Sequence, residues 1–269
     1  MYIQNLHTHT TYCDGADTPE EMVVAAISKG FDSIGFSGHS YMSYSPYISG
    51  GDKTEDYKKE IIRLKNAYKD KIKIYLGLEV DMYSQPDMTE YDYLIGTVHY
   101  LKKGDEYVGF DRSQQTVEDV INNHFDGNGM EYAKLYYKSM AELPKYGNFD
   151  IIGHFDLIAK HSDNITFFDE TSKEYLDAAF EAAEVLAKHI PFFEVNTGAI
   201  ARGYRKTPYP SIPIIKFLKE LGLGAVITSD CHEKDMLDCK FDDAEELLRT
   251  CGFKEKYILT DDGFKAVSL

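Results

Sequence analysis

Short apolar runs rich in β-forming residues alternate with longer helix-like segments along this 269-residue chain. Apolar strands separated by helices indicate a mainly parallel sheet that is covered by those helices. Seven or eight such units favour a closed or distorted (β/α) barrel over an open doubly wound sheet. The predicted strands are 2–7, 33–37, 72–79, 93–98, 150–153, 191–196, 225–229 and 256–260.

Helix boundaries are predicted from capping residues. Thr18-Pro19-Glu20-Glu21 is a capping box with proline at the first helical position, and Gly30 ends that helix. Thr54 is predicted to cap a helix that runs to residue 70, and Thr171 one that reaches residue 188. Ser211 introduces a helix that ends near residue 222, and the polar segment 101–130 is predicted as a loop with one helix over the barrel mouth.

Composition excludes several classes of protein. Lys and Arg total 29 against 45 Asp and Glu, a net charge of −16, which argues against nucleic-acid or anionic-membrane binding. No apolar run approaches the ~20 residues that span a bilayer, and the N-terminus does not resemble a signal peptide. Four cysteines without a CxxC pair favour a reduced, cytoplasmic compartment. Without repeats or a long linker, we expect residues 1–269 to form a single domain.

Side chains that bind metals stand at the C-terminal end of most predicted strands, where barrels of this class build their active sites. His7 and His9 are two residues apart on a strand, so both imidazoles point to one side. Asp230-Cys-His232 repeats this spacing after a late strand, and Glu79 closes an apolar run where an unpaired carboxylate is costly. The candidate metal ligands are His7, His9, Asp14, His39, Glu79, His99, His154, Asp230 and His232.

The histidine distribution favours a metal site, although a lone histidine after an apolar run is more often a hydrogen-bonded core residue. Six of the nine histidines fall at strand ends, whereas His124, His161 and His189 do not. Imidazole and carboxylate ligands spread from residue 7 to residue 232 differ from the closely spaced thiolates of structural zinc sites. Nine ligands exceed what one ion holds, so we expect two or three ions with Glu79 as the bridge.

Ordered motifs along the whole chain resemble those of the polymerase-and-histidinol-phosphatase (PHP) superfamily. Within it, the segments around His154 and around Glu194-Val-Asn196 resemble the stand-alone L-histidinol-phosphate phosphatases. The motifs are His7-Thr-His9-Thr10-Thr11-Tyr12-Cys13-Asp14-Gly15, Gly38-His39-Ser40, Gly77-Leu78-Glu79-Val80-Asp81, Gly96-Thr97-Val98-His99, Gly153-His154-Phe155-Asp156 and Ser229-Asp230-Cys231-His232.

This resemblance implies a distorted, TIM-like (β/α)7 barrel with a trinuclear site of zinc, manganese or iron. The implied first ion is held by His7, His9, Glu79 and Asp230. The second is held by Glu79, His99 and His154, and the third by Asp14, His39 and His232. The alternative for Asp14 is a turn residue beside Gly15.

Phosphate-ester hydrolysis needs charge neutralisation and an activated nucleophile, and two ions supply both through a bridging hydroxide. Arg202 and Lys160 are the candidate phosphate donors, since an arginine fork suits phosphate and lysine offers a point charge. The alternative for both is a solvated surface cation. Asp230 is the candidate acceptor of the water proton, whereas Asp14 and a metal-bound water remain alternatives for protonating the leaving group.

The expected activity is metal-dependent hydrolysis of a small phosphate monoester, with L-histidinol phosphate of histidine biosynthesis as the first candidate. The alternatives are another small, nucleotide-like phosphate, an amidohydrolase-like C–N hydrolase, and a non-catalytic metal-binding or regulatory protein. The expected partner is the small-molecule substrate, with neither nucleic acid nor membrane involved. The oligomeric state is left open by the sequence.

Overall fold

A parallel sheet forms the centre of the computed structural model, which describes residues 2–43, 45 and 51–269. The strands in this part of the chain are β1 (Gln4–Asn5), β2 (Ser33–Phe36), β3 (Lys73–Asp81), β4 (Tyr93–Thr97), β5 (Tyr100–Lys103), β6 (Glu106–Gly109), β7 (Ile151–Ile152), β8 (Phe192–Asn196), β9 (Gly224–Thr228), β10 (Glu255–Thr260) and β11 (Gly263–Ser268). Seven of them form one sheet in the order β1-β2-β3-β4-β7-β8-β9, and every neighbouring pair is parallel.

The first and last strands of this sheet meet and nearly close it. Beyond the ends of β1 and β9, Thr8 and Cys231 form a parallel bridge. The backbone N–H of His9 donates to the carbonyl of Cys231 at 2.7 Å, and the N–H of Cys231 donates to the carbonyl of His7 at 3.0 Å. The predicted distorted (β/α)7 barrel is therefore confirmed.

Helices connect most of the strands and cover the outside of the barrel. They are α1 (Pro19–Ser28), α2 (Thr54–Ala67), α3 (Gln114–His124), α4 (Gly129–Glu142), α5 (Lys173–Leu186), α6 (Gly198–Ala201), α7 (Ile212–Glu220) and α8 (Phe241–Thr250). None in the described part of the chain is long and apolar enough to cross a membrane.

The predicted helix starts are close to those in the structure, and Thr18 and Ser211 hold the N-cap positions of α1 and α7 as predicted. Thr18 caps α1 through a complete capping box with Glu21. Thr54 is itself the first residue of α2, because Lys53 occupies the N-cap position. Ser172 rather than Thr171 caps α5, since its hydroxyl accepts from the N–H of Tyr175.

The side chain of Tyr93 on β4 extends across the inside of the barrel and explains why β2 and β3 each contain a glycine. Its hydroxyl donates to the carbonyl of Leu6 on the far side of the barrel. A Cβ at Gly77 would lie 2.2 Å from the Tyr93 ring, and one at Gly35 would lie 2.4 Å from its hydroxyl. Glycine at both positions therefore makes room for the Tyr93 ring inside the barrel.

Two predicted segments take a different form in the structure. The run 256–260 is a strand, but β10 pairs antiparallel with β11 outside the barrel, because only a tight turn and no helix separates them. The segment 101–130 contains the predicted helix α3, but β5 and β6 form a hairpin where a loop was expected.

Candidate metal centre

All nine predicted ligands gather at the C-terminal ends of the barrel strands. His7 and His9 follow β1, and Glu79 lies near the end of β3. A polar cavity of about 220 Å³ opens above them. The ligand candidates that line it are Asp14, His39, Glu79, His99, His154, Asp230 and His232, whereas His7 and His9 are fully buried beneath.

Glu79 is the centre of the group, because its two oxygens face five histidines. Oε1 lies 3.0 Å from Nε2 of His154, 3.4 Å from Nε2 of His99 and 3.5 Å from Nε2 of His7. Oε2 lies 2.6 Å from Nδ1 of His39 and 3.6 Å from Nε2 of His9. A carboxylate shared by histidines from four strands has the geometry of a bridging ligand.

Asp230 completes a set with the two histidines that follow β1. Its Oδ1 lies 3.1 Å from Nε2 of His9 and 3.7 Å from Nε2 of His7. Its other carboxylate oxygen, Oδ2, accepts from Nη2 of Arg202 at 2.9 Å. Asp230 therefore joins the metal-ligand candidates to a cation at the cavity wall.

Asp14 lies at the outer side of the cavity among three histidines. Its Oδ1 is 3.3 Å from Nε2 of His232, 3.5 Å from Nε2 of His39 and 3.5 Å from Nδ1 of His9. Asp14 thus lines the same cavity as the strand-end ligands. His9 lies close to this outer set as well as to Asp230, so it stands between two of the expected ion positions.

The arrangement fits divalent metal ions. Two ligand atoms about 2.0–2.2 Å from a shared tetrahedral ion are separated by roughly 3.3–3.6 Å, and most of the distances between facing ligand atoms fall in or close to that range. Nε2 of His7 is completely buried and has no hydrogen-bond partner, an arrangement that costs free energy unless another group satisfies it. Nitrogen and oxygen ligands are those that zinc, manganese and iron accept.

A buried carboxylate behind the cluster, Glu194 on β8, holds two of the ligands in place. Its Oε2 lies 2.9 Å from Nδ1 of His7 and accepts from the hydroxyl of Thr228 at 2.8 Å. Its Oε1 accepts from the backbone N–H of His154 at 2.6 Å and from the amide of Asn196 at 2.8 Å. Outer-shell carboxylates of this kind fix the tautomer and orientation of metal-binding histidines.

Asp81 has a similar relation to His99. Its Oδ2 accepts from the backbone N–H of His99 at 2.9 Å and lies 3.4 Å from Nδ1 of the same residue. The ring therefore presents Nε2 to Glu79. Neither Glu194 nor Asp81 is recognisable as a positioning residue from the sequence, because their roles depend on contacts between separate strands.

Burial and close charges shift the pKa values in opposite directions within the cluster. Burial and then the nearby His232 and His39 lower the pKa of His9 to about 3. Burial alone would lower the pKa of His7 too, but Glu194, Asp230 and Glu79 raise it well above its usual range. Burial alone would raise the pKa of Glu79, but His39 and His7 hold it well below its usual range. The carboxylate therefore stays ionised, as a metal ligand must be.

Cations line the same cavity as the ligand candidates. Besides contacting Asp230, Arg202 places Nη1 2.8 Å from Nδ1 of His232. Lys160 lines the same cavity and pairs with Asp111, whose Oδ2 accepts from Nζ at 3.2 Å, while Nζ also lies 5.0 Å from the centre of the Tyr204 ring. Both predicted phosphate donors thus line the cavity. Arg112 lines it as well, although it was not predicted from the sequence.

The three tyrosines of α4 do not take part in the site. Tyr132, Tyr136 and Tyr137 are completely buried in the apolar core, so they pack inside the protein and do not line the cavity. Cys13 places its sulfur 3.4 Å from Nδ1 of His9, but burial, and to a lesser extent Asp14, raise the pKa of its thiol. A thiol held in its neutral form is a poor nucleophile.

Comparison with known proteins agrees with this geometry. The model of the PHP domain family matches residues 5–198. A probable histidinol-phosphatase of Deinococcus radiodurans is 28% identical over 91% of this chain and 92% of its own length. The histidinol-phosphatase of Lactococcus lactis is 24% identical over 97% and 94%. The crystal structure of a histidinol phosphate phosphatase from Lactococcus lactis, complexed with zinc, L-histidinol and phosphate, has a TM-score of 0.76, 22% identity and coverage of 97% and 98%.

Proposed function

Because this chain belongs to the PHP domain family, we propose that it is a metal-dependent phosphatase that hydrolyses L-histidinol phosphate to L-histidinol and phosphate. The observation that carries the proposal is the ring of five histidines around Glu79 at the barrel mouth. The names of the full-length relatives support the substrate.

The proposed metal ligands are grouped as the resemblance implies. One ion would be held by His7, His9, Glu79 and Asp230, the second by Glu79, His99 and His154, and the third by Asp14, His39 and His232. Ions bound there neutralise phosphate charge and lower the pKa of water. Glu194 and Asp81 hold the histidine rings so that Nε2 points at the ions.

The remaining groups act on the ester and on the proton. We propose that Arg202 and Lys160 donate to the phosphate oxygens, since charged donors bind phosphate about twice as strongly as neutral ones. The Oδ1 atom of Asp230 faces the histidine pair and is the proposed acceptor of the proton from the attacking water. For Asp14 we propose the ligand role, because three imidazoles surround its Oδ1.

The proposal also covers the domain organisation and the cellular compartment of the protein. Because the ligands extend from His7 to His232, we propose that the whole chain acts as one domain. The four cysteines are unpaired in the structure, which supports a reduced, cytoplasmic compartment.

Phosphate release by the zinc- or manganese-loaded protein tests the proposal. We expect kcat/KM for L-histidinol phosphate to exceed the values for an aryl phosphate and a nucleotide panel by at least about a hundredfold, the discrimination that a site built for one polar substrate achieves. Equal, low rates on all esters would contradict the substrate. Absence of turnover with ions bound would favour the non-catalytic alternative.

A further inference from the structure

Arg205 is a buried arginine that joins two segments of the cavity wall. Only 5% of its side chain is exposed. It follows α6 in the segment that carries Arg202 and Tyr204, both of which line the cavity. Its guanidinium group reaches the segment after β7, which carries Lys160. One buried side chain thus links the two segments that supply the proposed phosphate donors.

The guanidinium group of Arg205 has a partner on each arm. Nη1 donates to the backbone carbonyl of Ala159 at 2.8 Å, and Nη2 lies 3.4 Å from Oε2 of Glu170. Burial lowers the pKa of Arg205, but Asp156 and Glu170 raise it above its usual range, so the group stays charged. Because a guanidinium is planar and is held here at two points, its orientation is fixed.

We propose that Arg205 is a positioning residue that fixes Lys160 at the cavity for its contact with the phosphate of the substrate. This inference rests on the proposed function, in which Lys160 is a phosphate donor. Ala159 directly precedes Lys160 and is the last residue of a short 3₁₀ helix, Leu157–Ala159. The hydrogen bond from Arg205 therefore holds the backbone from which the Lys160 side chain extends.

The residue next to Arg205 contacts the other end of the lysine side chain. The ring centre of Tyr204 lies 5.0 Å from Nζ of Lys160, a distance at which an aromatic ring attracts an ammonium group. The backbone N–H groups of Tyr204 and Arg205 both donate to the carbonyl of Ala199, at 2.8 Å and 3.2 Å. One turn of the chain therefore restrains Lys160 at both ends. Because a free lysine has many rotamers, this restraint reduces the entropy that is lost when phosphate binds.

Arg205→Lys tests this role, because lysine keeps the positive charge but cannot hold Ala159 and Glu170 in the geometry of a guanidinium. KM for L-histidinol phosphate and the inhibition constant of inorganic phosphate are measured in the metal-saturated enzyme, with Lys160 present and in a Lys160→Met background. We expect Arg205→Lys to raise both constants at least about fivefold when Lys160 is present and less than about twofold in Lys160→Met, since residues that act through one another are not additive. A residue needed only for folding would have the same effect in both backgrounds.

A matched substitution and a second variant complete the experiment. Arg249→Lys makes the same chemical change at an ion pair with Glu245 on α8, and its KM should equal that of the wild type. If Arg205→Lys fails to fold, Glu170→Ala decides, because it removes one of the two partners of the guanidinium. It should raise KM when Lys160 is present and leave KM unchanged in Lys160→Met, and any other result contradicts the positioning role.

The outcomes distinguish this inference from the proposed function. Unchanged constants in Arg205→Lys, or an equal rise in both backgrounds, would overturn the inference while the phosphatase activity stands. A Lys160→Met variant with the KM of the wild type would contradict the phosphate contact of Lys160 and this inference with it. Absence of hydrolysis by the wild type would overturn the proposed function as a whole, including the role of Arg205.

Discussion

Glu194→Gln tests whether a residue outside the predicted ligand set controls metal binding. The carboxylate accepts four contacts, since Oε2 faces Nδ1 of His7 and the hydroxyl of Thr228, and Oε1 faces the N–H of His154 and the amide of Asn196. Glutamine supplies one acceptor oxygen and one donor NH2 in the same space.

Both orientations of the glutamine amide create a conflict. With NH2 toward His7, the ring has to accept at Nδ1, and the proton then sits on Nε2, the atom that faces Glu79 and Asp230. With NH2 toward His154, it meets the backbone N–H of His154 and the amide of Asn196, which are also donors. We therefore expect a 10- to 100-fold loss of metal affinity, which corresponds to about 1.4–2.7 kcal/mol.

Chelator competition for zinc and metal content per chain measure the loss directly, and histidine ¹⁵N shifts report the tautomer of His7. Glu245→Gln is the matched control, because Glu245 is also a buried carboxylate but pairs with Lys256 at 2.7 Å and with Arg249 at 3.0 Å, outside the centre. It should reduce stability without changing zinc affinity. Wild-type zinc affinity in Glu194→Gln, together with a proton on Nδ1 of His7, would refute the positioning role.

Three further changes separate metal binding, substrate binding and stability. Glu79→Gln should remove at least one ion per chain and lower kcat/KM by more than about 100-fold, a larger effect than the loss of an outer-shell partner usually has. Full metal content by elemental analysis, together with full turnover, would show that Glu79 is not a bridging ligand. In the metal-saturated protein, Arg202→Ala should raise KM for the phosphate ester by about 10- to 100-fold, the value of a charged hydrogen bond. An unchanged KM would contradict the phosphate contact. Burial raises the pKa of Asp156 to about 6, so its ionisation opposes folding and its destabilising effect grows as the pH rises from about 4 to about 6. Relative to the wild type, Asp156→Asn should gain about 3 kcal/mol of unfolding free energy between about pH 4 and pH 8, as measured by urea denaturation of the metal-free proteins, and a pH-independent difference would contradict this assignment.

The extent to which the site could be predicted follows from the periodicity of strands. His7 and His9 share one side because successive strand residues alternate, and parallel strands bring their C-terminal ends to one edge. The local sequence pattern is therefore enough to predict that His39, Glu79 and His154 line the same cavity. The same rule could not show that β10 lies outside the barrel, because a strand that pairs in a hairpin has the same apolar pattern as a barrel strand.

The residues that the sequence did not reveal belong to loops and to contacts between strands. Asp111 follows the hairpin strand β6, and its contact with Lys160, 49 positions away, cannot be read from either segment alone. Glu194 has the position of an ordinary buried strand residue until its distance to His7 is known. Candidate ligands can thus be predicted from the ends of single strands, whereas the groups that orient the ligands are found where separate segments meet. Substitution of Glu194 should accordingly lower metal affinity, since Glu194 contacts both His7 and the backbone of His154.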